Sequence, residues 1–340
     1  MTAFEVPVLV SPEAGDQASR LRELFRDGLP PVSVASWSAP VIAVTSGKGG
    51  VGKTNVSVNL ATLLAERHRL TLVDADLGMA NADILCGVTP ARRLQHALPM
   101  SDGSVHGRTG AHPSAGANLA SICLQSPLGF SLVPGSVGVA RMADLQSAEQ
   151  RQLLRGLAAV EARSDLVLLD TGAGISPGVL GFLGVSDLVL VVATPEPTSI
   201  ADAYALIKCF AHRAEESPPC ERPGRSPTRV ALVINQCRNR REAESVYRRL
   251  VGACERFLGM HVPLAGVIEK DGRLVDSVMA RTPVVRFAPE SSASIGLRSL
   301  AMVIESEWLS TAKELTLGKA GRGNAGRFDA LRRMWRIRGH

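Results

Sequence analysis

Gly47-Lys48-Gly49-Gly50-Val51-Gly52-Lys53-Thr54 sets two glycines, a lysine and a hydroxyl at the spacing of a phosphate-binding loop. In such a loop the glycines let backbone N–H groups curl round an anion. Lys53 would then reach the β/γ oxygens of a nucleotide, and Thr54 would ligate Mg2+. Lys48 is a second cation near the loop's start, beyond what the pattern requires. Further on, Asp74-Ala75-Asp76-Leu77-Gly78 places two carboxylates after an apolar run, and Leu166-Val167-Leu168-Leu169-Asp170 ends in a third. Carboxylates so placed can orient a water or hold a metal's outer shell, and positioning of this kind carries most of phosphoryl transfer. Alone, each aspartate would read as a turn or helix-cap residue. Beside a phosphate loop they read as functional, because the C-terminal strand ends of one open sheet share a ligand crevice.

The elements around these residues fit. Val41-Ile42-Ala43-Val44-Thr45 is a β-branched apolar run, as a buried parallel strand requires. After the loop, Val56, Leu60, Leu63 and Leu64 recur at helical spacing, so the loop opens onto a helix N-terminus that favours an anion. Apolar runs predict strands at 41–45, 70–74, 130–133, 166–170, 188–193, 230–234 and 264–268. Amphipathic segments predict helices at 54–67, 148–162, 199–213, 241–258 and 291–309. Such alternation implies right-handed crossovers and an α/β fold: a mostly parallel twisted sheet with helices on both faces.

Composition agrees. Of 340 residues 45% are hydrophobic and only 4% aromatic, which suits a sizeable Val/Leu/Ala/Gly core. The six cysteines stand singly and form no C-x-x-C, which excludes the usual zinc and thioredoxin-like patterns and fits a reducing cytoplasm. Val6-Pro7-Val8-Leu9-Val10 is too short for a secretory core, and Glu5 stands where a basic flank belongs. No stretch approaches the roughly 20 apolar residues of a spanning helix.

Three stretches read as irregular: 99–118, 217–228 and 317–326. His96, His106 and His112 fall in or beside the first, but match no metal-ligand spacing and read as loop histidines. The expected organisation is an extension over 1–39, a phosphate-loop domain over 40–310, a Gly-rich basic linker over 311–326 and a terminal helix over 327–340. In that last helix Phe328, Leu331, Met334 and Trp335 form an apolar side against Arg332, Arg333 and further arginines. This is the pattern of a helix lying in an anionic membrane interface, with core packing or a nucleic-acid tail as the other readings. Near the start, residues 16–25 read as a short helix too marginal to stand without a docking surface or a partner.

Taken together, Gly47 to Thr54, Asp74 to Asp83, Asp170 to Ser176 and Thr194 to Tyr204 resemble the MinD/ParA family of deviant phosphate-loop ATPases. Within it they most resemble the branch that regulates flagellar number. The resemblance covers about 10 to 310 and implies an ATP- and Mg2+-dependent homodimeric switch with slow ATP hydrolysis. It implies that Lys48 contacts the nucleotide of the opposing subunit and that Asp76 positions the attacking water, with Asp74 in support. The implied ATP-binding set is Gly47, Lys48, Gly49, Gly50, Val51, Gly52, Lys53, Thr54 and Asn55, with Asn235 at the base. Thr54 and Asp170 would serve Mg2+. Asp16, Gln17, Ala18, Leu21 and Arg22 resemble that branch's partner-binding motif. Implied partners are a flagellar signal-recognition-type GTPase, a flagellar transcription regulator and anionic inner-membrane lipid, from a cytoplasmic, reversibly membrane-associated protein; specific nucleic-acid binding is not expected. One departure stands out: Gly266-Val267-Ile268 is followed by Glu269-Lys270-Asp271, where the family usually has proline.

Competing readings are a septum-placing or cargo-partitioning ATPase and a nucleotide-binding scaffold that hydrolyses nothing. A tyrosine kinase with the same loop would carry a tyrosine-rich tail. The two tyrosines here, Tyr204 and Tyr247, lie far from the C-terminus.

Overall fold

All six residues of β1 (Val41–Ser46) are buried, as a strand covered on both faces demands. The computed structural model describes residues 39–76, 78, 80–96, 119–136, 153, 156–216 and 228–309. The N-terminal motif at Asp16–Arg22, the whole 99–118 stretch and the basic tail lie outside these residues. From β1 the chain enters α1 (Lys53–Leu64), β2 (Leu70–Ala75) and the single turn α2 (Ala82–Leu85). Short strands β3 (Leu124–Gln125) and β4 (Ser131–Val133) follow. After a helical stretch at 156–161 come β5 (Leu166–Ala173), α3 (Pro177–Gly184), β6 (Leu188–Ala193) and α4 (Pro197–Glu216). The chain continues through β7 (Arg229–Cys237), α5 (Arg240–Leu258), β8 (Leu264–Glu269), α6 (Gly272–Met279), α7 (Val284–Phe287) and α8 (Ser292–Val303). A wider π-type turn spans Ile304–Leu309, so the helix expected over 291–309 changes pitch before its end.

The eight strands run in the order β3-β4-β2-β5-β1-β6-β7-β8. Every pairing is parallel except β3 with β4. From β1 the chain steps past the β5 position to β2, returns to β5, then continues on the other side through β6. The direction therefore reverses around β1, and open sheets bind ligands at the C-terminal strand ends where this happens.

Successive residues of a strand face opposite layers. Val41 and Ala43 join one core with Phe182, Leu206, Ile207, Val246 and Leu250, from α3, α4 and α5. Ile42 and Val44 join the other with Val56, Leu60, Leu64, Val284 and Leu297, from α1, α7 and α8. Leu60 and Leu64 are fully buried; truncating either to alanine would cost about 2–5 kcal/mol.

Helices α2, α3, α6 and α7 were not expected. Glycines at 181 and 184 disguise α3, which is instead started by Pro177 and by the Ser176 hydroxyl accepting the Val179 N–H at 3.4 Å. Asp271 starts α6 by accepting the Arg273 N–H, and also accepts from Ala293 N–H and the Ser292 hydroxyl. Asp271, in the departing Glu269-Lys270-Asp271 segment, thus ties α6 to the start of α8.

Candidate functional site

The loop between β1 and α1 turns on Gly50 (φ 78°) and Gly52 (φ 89°), both in the left-handed region that suits glycine. Its entry is fixed by the Ser46 hydroxyl donating to the Lys48 carbonyl at 2.7 Å. Helix α1 begins at Lys53 with no side-chain cap and no acidic residue in its first turn. Its first N–H groups therefore remain available to an anion, in a field that favours negative charge. Lys53 is only 8% exposed, while Thr54 and Asn55 are half-buried in the same turn.

Two carboxylates sit beside this turn on adjacent strands, Asp74 in register with Asp170. Both are 1% exposed. Ser57, one helical turn after Lys53, donates its hydroxyl to Asp170 Oδ1 at 2.9 Å. Asp170 Oδ2 is buried without a hydrogen-bond partner. Burial pushes the Asp170 carboxyl up to about 6, against the opposing pull of Thr54, Lys53 and Ser57. A buried, half-satisfied carboxylate beside a lysine and a threonine fits a site for hydrated Mg2+, whose waters would donate to the bare oxygen. Asp74 is differently engaged. Its carboxylate accepts N–H groups from Asp76 (3.2 Å), Asn81 (3.1 Å) and Ala82 (3.0 Å), pinning the segment that follows β2. Burial, then the neighbouring Asp170 charge, raises it well above the usual carboxylate range. Asp76 lies past the strand end, with Oδ1 accepting the Gly78 N–H at 3.1 Å. The same oxygen is 3.6 Å from where a Cβ on Gly172 would stand, so Asp76 faces the C-terminal end of β5.

The end of β7 supports the loop from the other side. Asn235 Nδ2 donates to the Val51 carbonyl at 2.8 Å, and Gln236 Nε2 donates to the Gly50 carbonyl at 3.3 Å. From sequence Asn235 was expected only at the nucleotide base; its grip on the loop was not expected, nor was that of Gln236. Ser57 was not expected either, although its spacing of four from Lys53 puts it on the same helix face. Lys48 reaches the start of α4. Its Nζ donates to Glu196 Oε2 at 2.6 Å and to Thr198 Oγ1 at 3.1 Å. Glu196 immediately precedes α4, and Thr198 is in its first turn.

Five cysteines are described; none is in a disulfide, and Cys86, Cys237 and Cys254 are buried. Burial raises the thiol of Cys86 to about 12 and those of Cys237 and Cys254 to about 11, so these three behave as small core residues. His96 accepts the Arg93 N–H on Nδ1 at 3.0 Å within a single turn. Among the described residues no helix is long and apolar enough to cross a membrane.

Comparison with known proteins agrees with this geometry. Residues 42–284 match the CobQ/CobB/MinD/ParA nucleotide binding domain. The antiactivator FleN of Pseudomonas aeruginosa is 35% identical over 267 residues, covering 78% of this chain and 86% of FleN. The flagellum site-determining protein YlxH of Helicobacter pylori is 30% identical over 303 residues, covering 88% of this chain and 94% of YlxH. In fold, the chain is similar to the septum site-determining protein MinD of Pyrococcus horikoshii, complexed with Mg-ADP. The TM-score is 0.60 at 23% identity, covering 81% of this chain and 98% of that one. With its phosphate loop, buried carboxylates and parallel sheet in place, this chain belongs to the CobQ/CobB/MinD/ParA nucleotide-binding family and is an ATPase that uses ATP and Mg2+.

Proposed function

We propose that this ATPase is a dimerising switch that sets flagellar number or placement. The observation that carries the flagellar part is similarity to two flagellar regulators, each spanning more than three quarters of this chain. The observation that favours a switch is the aim of Lys48, which reaches the Glu196–Thr198 segment. A cation held there by an exposed ion pair can exchange it for a phosphate of a facing copy once ATP is bound. Lys53 and the α1 N-terminus would hold the phosphates. Asp76 would hold the attacking water at the edge of Gly172, and Asp74 would keep that segment in place. Thr54 and, through water, Asp170 would hold Mg2+, which when bound neutralises phosphate charge. Asn235 would meet the base with the amide hydrogen and lone pair that its loop contacts leave over.

The basic apolar tail would engage anionic lipid once two copies pair, since two weak anchors act together by effective concentration. The Asp16–Arg22 motif would meet a flagellar GTPase, and a flagellar transcription regulator would be a second target. Two experiments test this reading. Deleting the gene should change flagella per cell or their placement, counted by electron microscopy; unchanged counts and positions overturn the flagellar role. With a non-hydrolysable ATP analogue the purified chain should pair and sediment with anionic vesicles. Sedimentation with DNA instead would favour the cargo-partitioning reading.

A further inference from the structure

We propose that Gln236 is a positioning residue for the nucleotide, acting through the phosphate loop; this rests on the ATP-site reading above. Strand β7 carries one extra residue at this point. Ile234 pairs with Val267 and Cys237 with Glu269, so three steps along β7 match two along β8. Such a bulge re-aims side chains, and bulges gather next to active sites. Here it places Gln236 at φ 57°, a left-handed conformation rare for a residue with a side chain. The Gln236 N–H is satisfied by Asn235 Oδ1 at 2.9 Å, which closes the bulge on itself.

The consequence is that two consecutive amides grip two consecutive carbonyls. Gln236 holds Gly50 O, and Asn235 holds Val51 O. The next carbonyl, of Gly52, accepts the Val56 N–H at 3.0 Å and begins α1. A trans peptide is planar, with its C=O and N–H pointing in opposite directions. Fixing the carbonyls of Gly50, Val51 and Gly52 therefore fixes the N–H groups of Val51, Gly52 and Lys53 on the opposite sides of their peptide planes. Those are donors that a phosphate-binding loop presents to its anion. The loop approaches β7 so closely that a Cβ on Gly52 would lie 2.5 Å from Asn235 Nδ2. Asn235 is buried and serves packing as well as this contact. Gln236 is exposed, and among the described residues the only hydrogen bond seen for its side chain ends on the loop. A strained backbone kept for one exposed hydrogen bond is better explained by the loop's ligand than by the fold.

Three substitutions separate the two roles. Gln236→Gly removes the amide and relieves the backbone, Gln236→Ala removes the amide alone, and Gln236→Glu keeps the shape but removes the donor. Calorimetric titration with ADP should show affinity weakened about three- to tenfold in all three, as loss of one hydrogen bond implies. KM for ATP should rise by a similar factor. The ligand-free melting temperature of Gln236→Gly should equal or exceed that of the unmodified chain. ADP affinity within twofold of the unmodified chain in all three variants overturns the proposal. So does a loss of affinity found only in variants that also melt earlier, or a loss confined to kcat. If instead the unmodified chain binds ADP no better than Lys53→Ala does, the ATP-site reading itself has failed.

Discussion

Lys48 Nζ lies 2.6 Å from Glu196 Oε2 across 148 residues of sequence. Both side chains are well exposed, at 39% and 63%, so the pair is worth no more than about 1 kcal/mol to the fold. A contact this weak is easily exchanged for a phosphate. Lys48→Ala should therefore leave the melting temperature within about 2–4 °C of the parent. Pairing with a non-hydrolysable ATP analogue, followed by analytical ultracentrifugation, should be abolished. A Lys48→Ala chain that still dimerises would remove the reason for treating this lysine as the cross-subunit cation.

Asp76 is half-buried at the crevice past the end of β2, whereas Asp74 is 1% exposed and accepts three backbone N–H groups. Asp76→Ala should slow single-turnover ATP hydrolysis roughly 10²-fold or more, the usual contribution of a positioned acid–base group. ATP binding should persist, so the dimer should outlive that of the parent. Hydrolysis at the parental rate would assign the water to another group.

Asp170 should cost the ligand-free protein stability at neutral pH. Its carboxyl is raised from the ordinary 3.8 to about 6, so between those values the folded chain binds more protons than the unfolded one. Stability falls as pH rises through that window, and the cost is fully present above it, up to about 3 kcal/mol. Asp170→Asn should accordingly raise the ligand-free melting temperature at pH 7.5, and the gain should shrink as pH is lowered from 6 towards 4. The same variant should lose the extra stabilisation that Mg2+ adds to ADP. Differential scanning calorimetry with and without Mg-ADP reads both effects. A variant that melts below the parent at pH 7.5 would mean that the Ser57 contact outweighs the desolvation of the charge.

What was legible in the sequence was what is contiguous. The strand–loop–helix unit around Lys53 lies within Val41–Leu64 and the apolar run into Asp170 within Leu166–Asp170, where local pattern and chemistry coincide. The partner of Lys48 was not legible, because it depends on how β1 and β6 align their ends. Nor was Gln236, whose conformation comes from an extra residue relative to β8. Helix α3 was hidden because Gly181 and Gly184 have low helix propensity, and packing of Leu180 and Leu183 into the core outweighs it.

Gly47 and Gly49 stand two residues apart in one loop yet differ in what surrounds them. A Cβ on Gly47 would lie 2.1 Å from the carbonyl oxygen of Asp202 and 2.8 Å from the amide nitrogen of Ala203. Both are backbone atoms of α4, and Ala203 is fully buried, so no flexible side chain can give way. A Cβ on Gly49 would meet nothing within 4 Å. Gly47→Ala should thus cost about 1–3 kcal/mol as overpacking, whereas Gly49→Ala should be neutral or stabilising by a few tenths of a kcal/mol through reduced unfolded-state entropy. Urea midpoints of the ligand-free variants measure the difference directly. Equal losses would mean that α4 shifts freely against the loop, and the close approach of its first turns to Gly47 would then no longer explain how the Glu196–Thr198 segment is held against Lys48.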